Sequence, residues 1–229
     1  MIASAKRILA LLALALMTAF GPTAQAETND QQRMVERARL ALDGFLDDPN
    51  FKDMRVYVQN AYAVLIVPEL LKGGFFLGAE YGIGVLLVRD PQTGAWGQPA
   101  FYSLYGGSIG LQFGGQTSAV VFTIMNRGAV DKLLDHGLKF GADAGVAVGR
   151  MGAAVGAATT THLSEDIYAF AQSQGLFGGF WLDGTYLQAN NAWNRAYYGH
   201  AVDPRQIVRQ PTVMASAGLD ALHQSLTRF

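Results

Sequence analysis

Apolar residues recur at every second position through the middle of the chain. From Phe75 to Leu87 the odd positions are Phe75, Leu77, Ala79, Tyr81, Ile83, Val85 and Leu87, while the even ones include Gly78, Glu80, Gly82 and Gly84. A period of two marks a strand with one apolar face. Leu138 to Gly149 repeats the scheme, with Leu138, Phe140, Ala142, Ala144, Val146 and Val148 set against Lys139, Gly141, Asp143, Gly145 and Gly149. Glycine weakens a strand, so a row of it on one face points to sharp curvature or to a neighbour close to the backbone. The pattern predicts a bent sheet, covered or occupied on its glycine side.

The period changes at both ends. Met34, Ala38, Ala41, Leu42, Phe45 and Leu46 fall three or four apart, which predicts an amphipathic helix over Arg33–Asp48, closed by Pro49. Such a helix either packs on the domain or lies in a membrane interface. Phe51–Asn60 reads as a short helix or connector. Ala61–Val67 reads as a buried strand ended by Pro68, with a turn over Leu70–Gly74. Asp90–Gly94 has the composition of a hairpin loop. Trp96–Phe113 is extended, with a bulge expected at Gly107, and Thr117–Met125 is a central strand. Asn126 is placed to cap a helix over Ala129–His136. Arg150–Thr161 reads as a surface loop, and Asp166–Gln172 with Leu176–Gln188 as a strand pair. Asn190–Tyr198 is a further helical stretch, His200–Gln210 a connector, and Pro211 opens a last helix carrying Leu219, Leu222, Leu226 and Phe229. Strands do not alternate with helices, so a doubly wound parallel sheet is not expected. The prediction is α+β: a mainly antiparallel, strongly curved sheet, barrel-like or sandwich-like, of about seven strands, with flanking N- and C-terminal helices.

Composition adds a destination. Lys6 and Arg7 precede an apolar run from Ile8 to Phe20, and Ala24-Gln25-Ala26 follows as a small-residue cleavage site. This is the pattern of a secretory signal peptide over residues 1–26, leaving one domain over 27–229 in the periplasm, peripheral to a membrane. The chain has no cysteine, which excludes disulfides and thiolate sites. Without Lys6 and Arg7, 15 basic residues face 18 acidic ones. That balance argues against nucleic-acid binding, which rests on clustered positive charge.

Motifs for catalysis are scarce. His136, His162, His200 and His223 are far apart, with no partner at metal-ligand spacing. Ser108 lies in no nucleophile elbow, and no phosphate-cradling loop is present. No cofactor and no metal are expected. Glu80, Asp143 and Asp183 stand out as carboxylates beside glycines; they either meet at a cation or ligand or accept backbone N–H groups at bends. Arg33, Arg37, Lys52, Arg55 and Lys72 crowd the N-terminal third beside Phe45 and its helix, a combination that favours an anionic membrane surface.

Taken in order, several short motifs resemble the SYLF-domain family: Ile66-Val67-Pro68, Lys72-Gly73-Gly74-Phe75, Gly82-Ile83-Gly84-Val85, Trp96-Gly97-Gln98-Pro99-Ala100-Phe101, Gly106-Gly107-Ser108-Ile109-Gly110, Gly141-Ala142-Asp143-Ala144, Gly175-Leu176-Phe177 and Tyr197-Tyr198-Gly199. They cover roughly Met34–Gly199. The resemblance implies a non-enzymatic, phospholipid-binding module whose partner is anionic phospholipid, phosphoinositides in eukaryotic members. Arg33, Arg37, Phe45, Lys52, Arg55 and Lys72 are the positions matching that role. Two other readings are an outer-membrane β-barrel, suggested by aromatic alternating strands and Phe229, and a metal-dependent hydrolase using Glu80, Asp143 or Asp183. The helical spacing of Leu219, Leu222, Leu226 and Phe229 argues against the barrel, whose closing strand should alternate.

Overall fold

The computed structural model describes residues 30–74, 77–109, 114–149, 166–175, 182, 184–209 and 216–229. The stretch expected to be a leader (1–26), the one expected to be a surface loop (150–161), Asp183 and Pro211 lie outside these residues. The elements are α1 (Asp30–Asp47), a 3₁₀ turn (Pro49–Phe51), α2 (Met54–Asn60), β1 (Ala63–Gly74), β2 (Leu77–Val88), β3 (Ala100–Ile109), β4 (Gly114–Ile124), α3 (Arg127–His136), β5 (Leu138–Lys139), β6 (Val146–Gly149), β7 (Ile167–Gly175), β8 (Tyr186–Ala189), α4 (Asn191–Tyr198), α5 (Pro204–Arg209) and α6 (Ala217–Thr227). One curled sheet takes the order β5-β8-β3-β2-β1-β4-β7-β6. All its pairings are antiparallel except β6 with β7. The α+β class and the bent sheet are as predicted.

The glycine rows explain the bend. On β2, Gly82 and Gly84 face the concave side, where β1 folds over them. A Cβ on Gly84 would meet Val67 Cγ2 at 2.8 Å, Ile66 O at 2.9 Å and Leu65 Cδ1 at 2.9 Å. A Cβ on Gly82 would meet Val67 Cγ1 at 2.9 Å and Glu69 O at 3.0 Å. The glycine side of β2 is therefore covered, and its cover is the neighbouring strand. Beyond it, α3 fills the concave side with Ala129, Val130, Leu133 and Leu134. Phe122 stacks on Phe140 with centroids 5.4 Å apart, and the Tyr102 hydroxyl donates to Leu133 O. Burial pushes the Tyr102 phenol well above its ordinary pKa. On the opposite face, Tyr57 of α2 meets Tyr168 and Phe170, while Trp193 and Tyr197 of α4 meet Phe101. α1 packs across β1 and β2 and against α6.

Several sequence-based boundaries move. β1 runs through Pro68 to Gly74 instead of turning at Leu70. Its register shifts between Ile66 and Glu69, so the proline, which has no N–H to donate, sits in a bulge. Gly107 marks no bulge, because β2 and β3 pair without interruption from Leu77↔Ile109 to Leu86↔Ala100. The Leu138–Gly149 strand is cut in two by a turn at residues 141–143, where Gly141 adopts φ +80° and Asp143 Oδ2 accepts from Lys139 N at 2.8 Å. β7 and β8 do not pair with each other; they sit on opposite flanks of the sheet. The His200–Gln210 connector contains α5.

This architecture does not fit an outer-membrane barrel. A barrel in lipid turns an apolar wall outward, whereas here helices cover the convex side and the described strands leave β5 and β6 as edges.

Candidate functional site

The basic residues separate into three settings. Arg33 and Arg37 lie on the outward side of α1, with side chains 60% and 51% exposed, and pair with Asp30 and Glu69. Exposed pairs of this kind contribute little to stability. Lys52 and Arg55 are also exposed, but they follow the C-terminal end of α1. About 15 Å of helix separates Arg37 from that end. The five residues do not form one basic face.

Lys72 departs most from expectation. It is buried on the concave side, where its Nζ lies 2.7 Å from Glu80 Oε2, with side chains 7% and 10% exposed. Thr185 donates to Glu80 Oε1. The row continues through Gln116, the ladder partner of Lys72, which donates to Ser118; Ser118 in turn meets Ser173 Oγ at 2.9 Å. The sequence sets Lys72 in an expected turn and Glu80 on the glycine side of the following strand, and the antiparallel register of β1 and β2 makes them opposite neighbours. Their proximity was not readable without that register.

Phe45 is likewise not a surface group. It is 1% exposed and meets Phe51 edge-on at 4.7 Å. Met34, Val35, Ala38 and Leu42 are buried beside it in the same core. The amphipathic face of α1 is occupied by the protein's own core, because β1, β2 and α6 offer it a ready apolar partner.

Of the three carboxylates singled out in the sequence, two are described and have separate partners. Glu80 serves Lys72 and Thr185, Asp143 closes the turn after β5 on the surface, and Asp183 lies outside the described residues. Among the described residues no group of three His, Cys, Asp or Glu side chains could hold a metal. At the other end of the sheet, Arg205 bridges Asp131 and Asp135 and so ties α5 to α3. The Arg205 hydrogen bonds hold the Asp135 carboxyl below its ordinary pKa. A cleft of about 470 Å³ opens beside them, lined by Arg89, Arg127, Arg209 and Asp90 among others. Arg89 is committed there to Trp96, 4.3 Å from its ring, and to Val58 O.

The convex side carries a feature that sequence reading missed. Past the helices, Leu71, Tyr81, Tyr105 and Tyr186 stand directly opposite one another on β1, β2, β3 and β8. They are 49%, 50%, 41% and 44% exposed. Tyr105 and Tyr186 stack at 5.8 Å with an interplanar angle of 10°. Tyr81 and Tyr105 sat in the apolar parity of their strands, whereas Tyr186 alternates with the buried Leu187, so the available signal was the strand pairing alone.

A family model described as Ysc84, Las17-binding protein actin regulator, matches residues 105–229. Similar proteins include the SH3 domain-containing YSC84-like protein 1 of Xenopus laevis, 32% identical over 136 residues (59% of this chain, 40% of that protein). The human protein of the same name is 29% identical over 135 residues (58% and 39%). Protein YSC84 of Saccharomyces cerevisiae is 26% identical over 155 residues (66% and 33%). The chain thus spans about two fifths or less of the length of these relatives, and none of the names is that of an enzyme.

Proposed function

We propose that this chain, which belongs to the Ysc84 (SYLF-domain) family, is a non-catalytic module that binds anionic phospholipid at a bacterial envelope membrane. The observation that carries the reading is the pair of outward cations Arg33 and Arg37 on a helix whose apolar face is already docked. A helix so held presents charge to a surface without leaving the domain. Attraction of this kind is electrostatic, acts within about a Debye length and weakens with salt. The leader-like stretch from Lys6 to Ala26 supports export, and with it phosphatidylglycerol or cardiolipin as the anionic lipid on offer. The test is co-sedimentation of the purified protein with phosphatidylglycerol-containing vesicles, phosphatidylcholine vesicles and no vesicles. Preferential, salt-sensitive recovery with the first is expected, reduced by Arg33→Glu/Arg37→Glu. Equal recovery in all three would refute the reading.

A second reading follows from the family description, which names a bound protein for its members. On that reading the module assembles with an envelope protein rather than with lipid. Cross-linking in intact cells that joins the chain to one protein partner, with no vesicle binding by the pure chain, would favour it.

A further inference from the structure

We infer that the Leu71–Tyr81–Tyr105–Tyr186 row is the face through which the protein seats itself in the headgroup layer of an anionic bilayer. This inference rests on the phospholipid reading above and assigns it a second contact, one built from the sheet. Among the described residues, seven large hydrophobics are exposed, and four of them are this row. Singly scattered apolar residues need no explanation, whereas an aligned set marks an interaction site.

Three observations select a bilayer as the occupant. First, three members are tyrosines, whose apolar ring and polar hydroxyl suit the boundary between acyl chains and headgroups. The Tyr105 hydroxyl donates to Gln188 Oε1 at 2.7 Å, which holds the ring in its stack beside Tyr186. Second, a cation lies near the row at its β1 side and at its β8 side. Arg37 reaches Glu69, two residues before Leu71 on β1, and Lys139, the ladder partner of Tyr186, holds its Nζ 5.4 Å from the centre of that ring. Cations flanking an aromatic strip complement lipid phosphates on either side of it. Leu40, three residues past Arg37 on α1, is a further exposed apolar side chain, at 55%.

Third, the next row towards the strand ends is nearly bare. Gly115, Gly73, Ala79 and Gly107 are ladder partners on the same face, and all are exposed. A Cβ on Gly107 would find its nearest neighbour, Gly78 O, at 3.6 Å, and one on Gly115 would find Lys72 O at 3.9 Å. Unlike Gly82 and Gly84, these positions are not crowded by the chain's own atoms. The tyrosines therefore rise from a low shelf, and a flat surface can reach their rings and hydroxyls without meeting a taller side chain there.

The test uses the purified protein with phosphatidylcholine vesicles containing or lacking phosphatidylglycerol. The variant Tyr81→Ser/Tyr105→Ser/Tyr186→Ser should bind the anionic vesicles at least about tenfold more weakly, while Tyr81→Trp should bind at least as well as the parent. Unchanged binding by the triple variant would overturn the inference and leave the phospholipid reading standing. Failure of the parent to bind any vesicle would overturn both. Because the chain has no cysteine, a nitroxide on Ala79→Cys reports the contact without altering the tyrosines. Vesicles should shield that probe from a water-soluble relaxation agent and leave a probe on Asp220→Cys of α6 accessible. The reverse order would overturn the inference, as would a concentration-dependent dimer that shields Ala79→Cys equally well without lipid.

Discussion

Substituting alanine at Gly84 and, separately, at Gly107 tests the account of the bend, because the two glycines lie on opposite faces of the same pair of strands. At Gly84 the new methyl would press on Val67 Cγ2, Leu65 Cδ1 and the Ile66 carbonyl, all at 2.9 Å or less. The two side chains can rotate, but the carbonyl belongs to the β1 backbone, and its retreat would open the curl. Overpacking of this kind costs about 1–3 kcal/mol. Against it stands a gain of about 0.4–1 kcal/mol from restricting the unfolded chain. Gly84→Ala should therefore lose roughly 1–2 kcal/mol. Gly107→Ala meets nothing closer than 3.6 Å and keeps only the gain, so the two variants should differ by about 2 kcal/mol. Urea unfolding followed by circular dichroism measures this, with unchanged slopes showing that the midpoints compare directly. Adding Val67→Ala to Gly84→Ala should recover part of the loss from contact relief, though never all of it, since the Ile66 carbonyl remains. Equal stability of Gly84→Ala and Gly107→Ala would refute the argument that β1 closing over the β2 glycines sets the curvature.

The remaining expectations concern single contacts. Asn194, fully buried, accepts from Phe101 N at 2.8 Å and donates to Phe101 O at 3.2 Å; Asn194→Ala strands both groups and should cost about 2–4 kcal/mol in urea unfolding. Lys72→Met alone leaves Glu80 charged and buried and should cost about 3–5 kcal/mol, whereas Lys72→Met/Glu80→Leu should cost less than either single change. Arg205 depresses the Asp135 pKa, so the unfolded chain takes up that proton at higher pH than the folded one. The α3–α5 tie is therefore complete above the ordinary carboxylate range and lost as pH falls through the depressed value. Unfolding midpoints followed from about pH 6 to about pH 3 should show an acid loss that shrinks in Arg205→Leu.

How far the chain could be read from its sequence follows from what each signal depends on. α1 and α3 were legible because helical spacing and the Asn126 cap, whose side chain accepts from Gly128 N, are local. The extent of β1 was not, since Pro68 ordinarily ends a strand and only the pairing with β2 and β4 shows a bulge absorbing it. The cut at residues 141–143 was hidden by an unbroken alternation that a turn held by Asp143 can also carry. Site residues suffered most. Lys72, Glu80 and the tyrosine row acquire their settings from register across strands, and register is a relation between segments that no single segment encodes.

The buried face of α1 constrains the proposed membrane contact. Met34, Val35, Leu42 and Phe45 are all at most 8% exposed. At about 1.5–3 kcal/mol per fully buried apolar side chain, they supply roughly 6–12 kcal/mol of docking as an upper estimate. A helix that swung into a bilayer would regain that burial in lipid, so its own ledger would be near neutral. The surface left behind would not. β1, β2 and α6 would expose a matching apolar area to water, a loss comparable with the whole stability of a domain, about 5–15 kcal/mol. Membrane binding that required α1 to leave would compete with folding itself. With α1 docked, the proposed lipid contact falls to groups already outside: Arg33 and Arg37 for charge, and the tyrosines of β2, β3 and β8 for apolar area. The sheet can supply that area without cost to the core because its convex side runs on past the last helix that covers it.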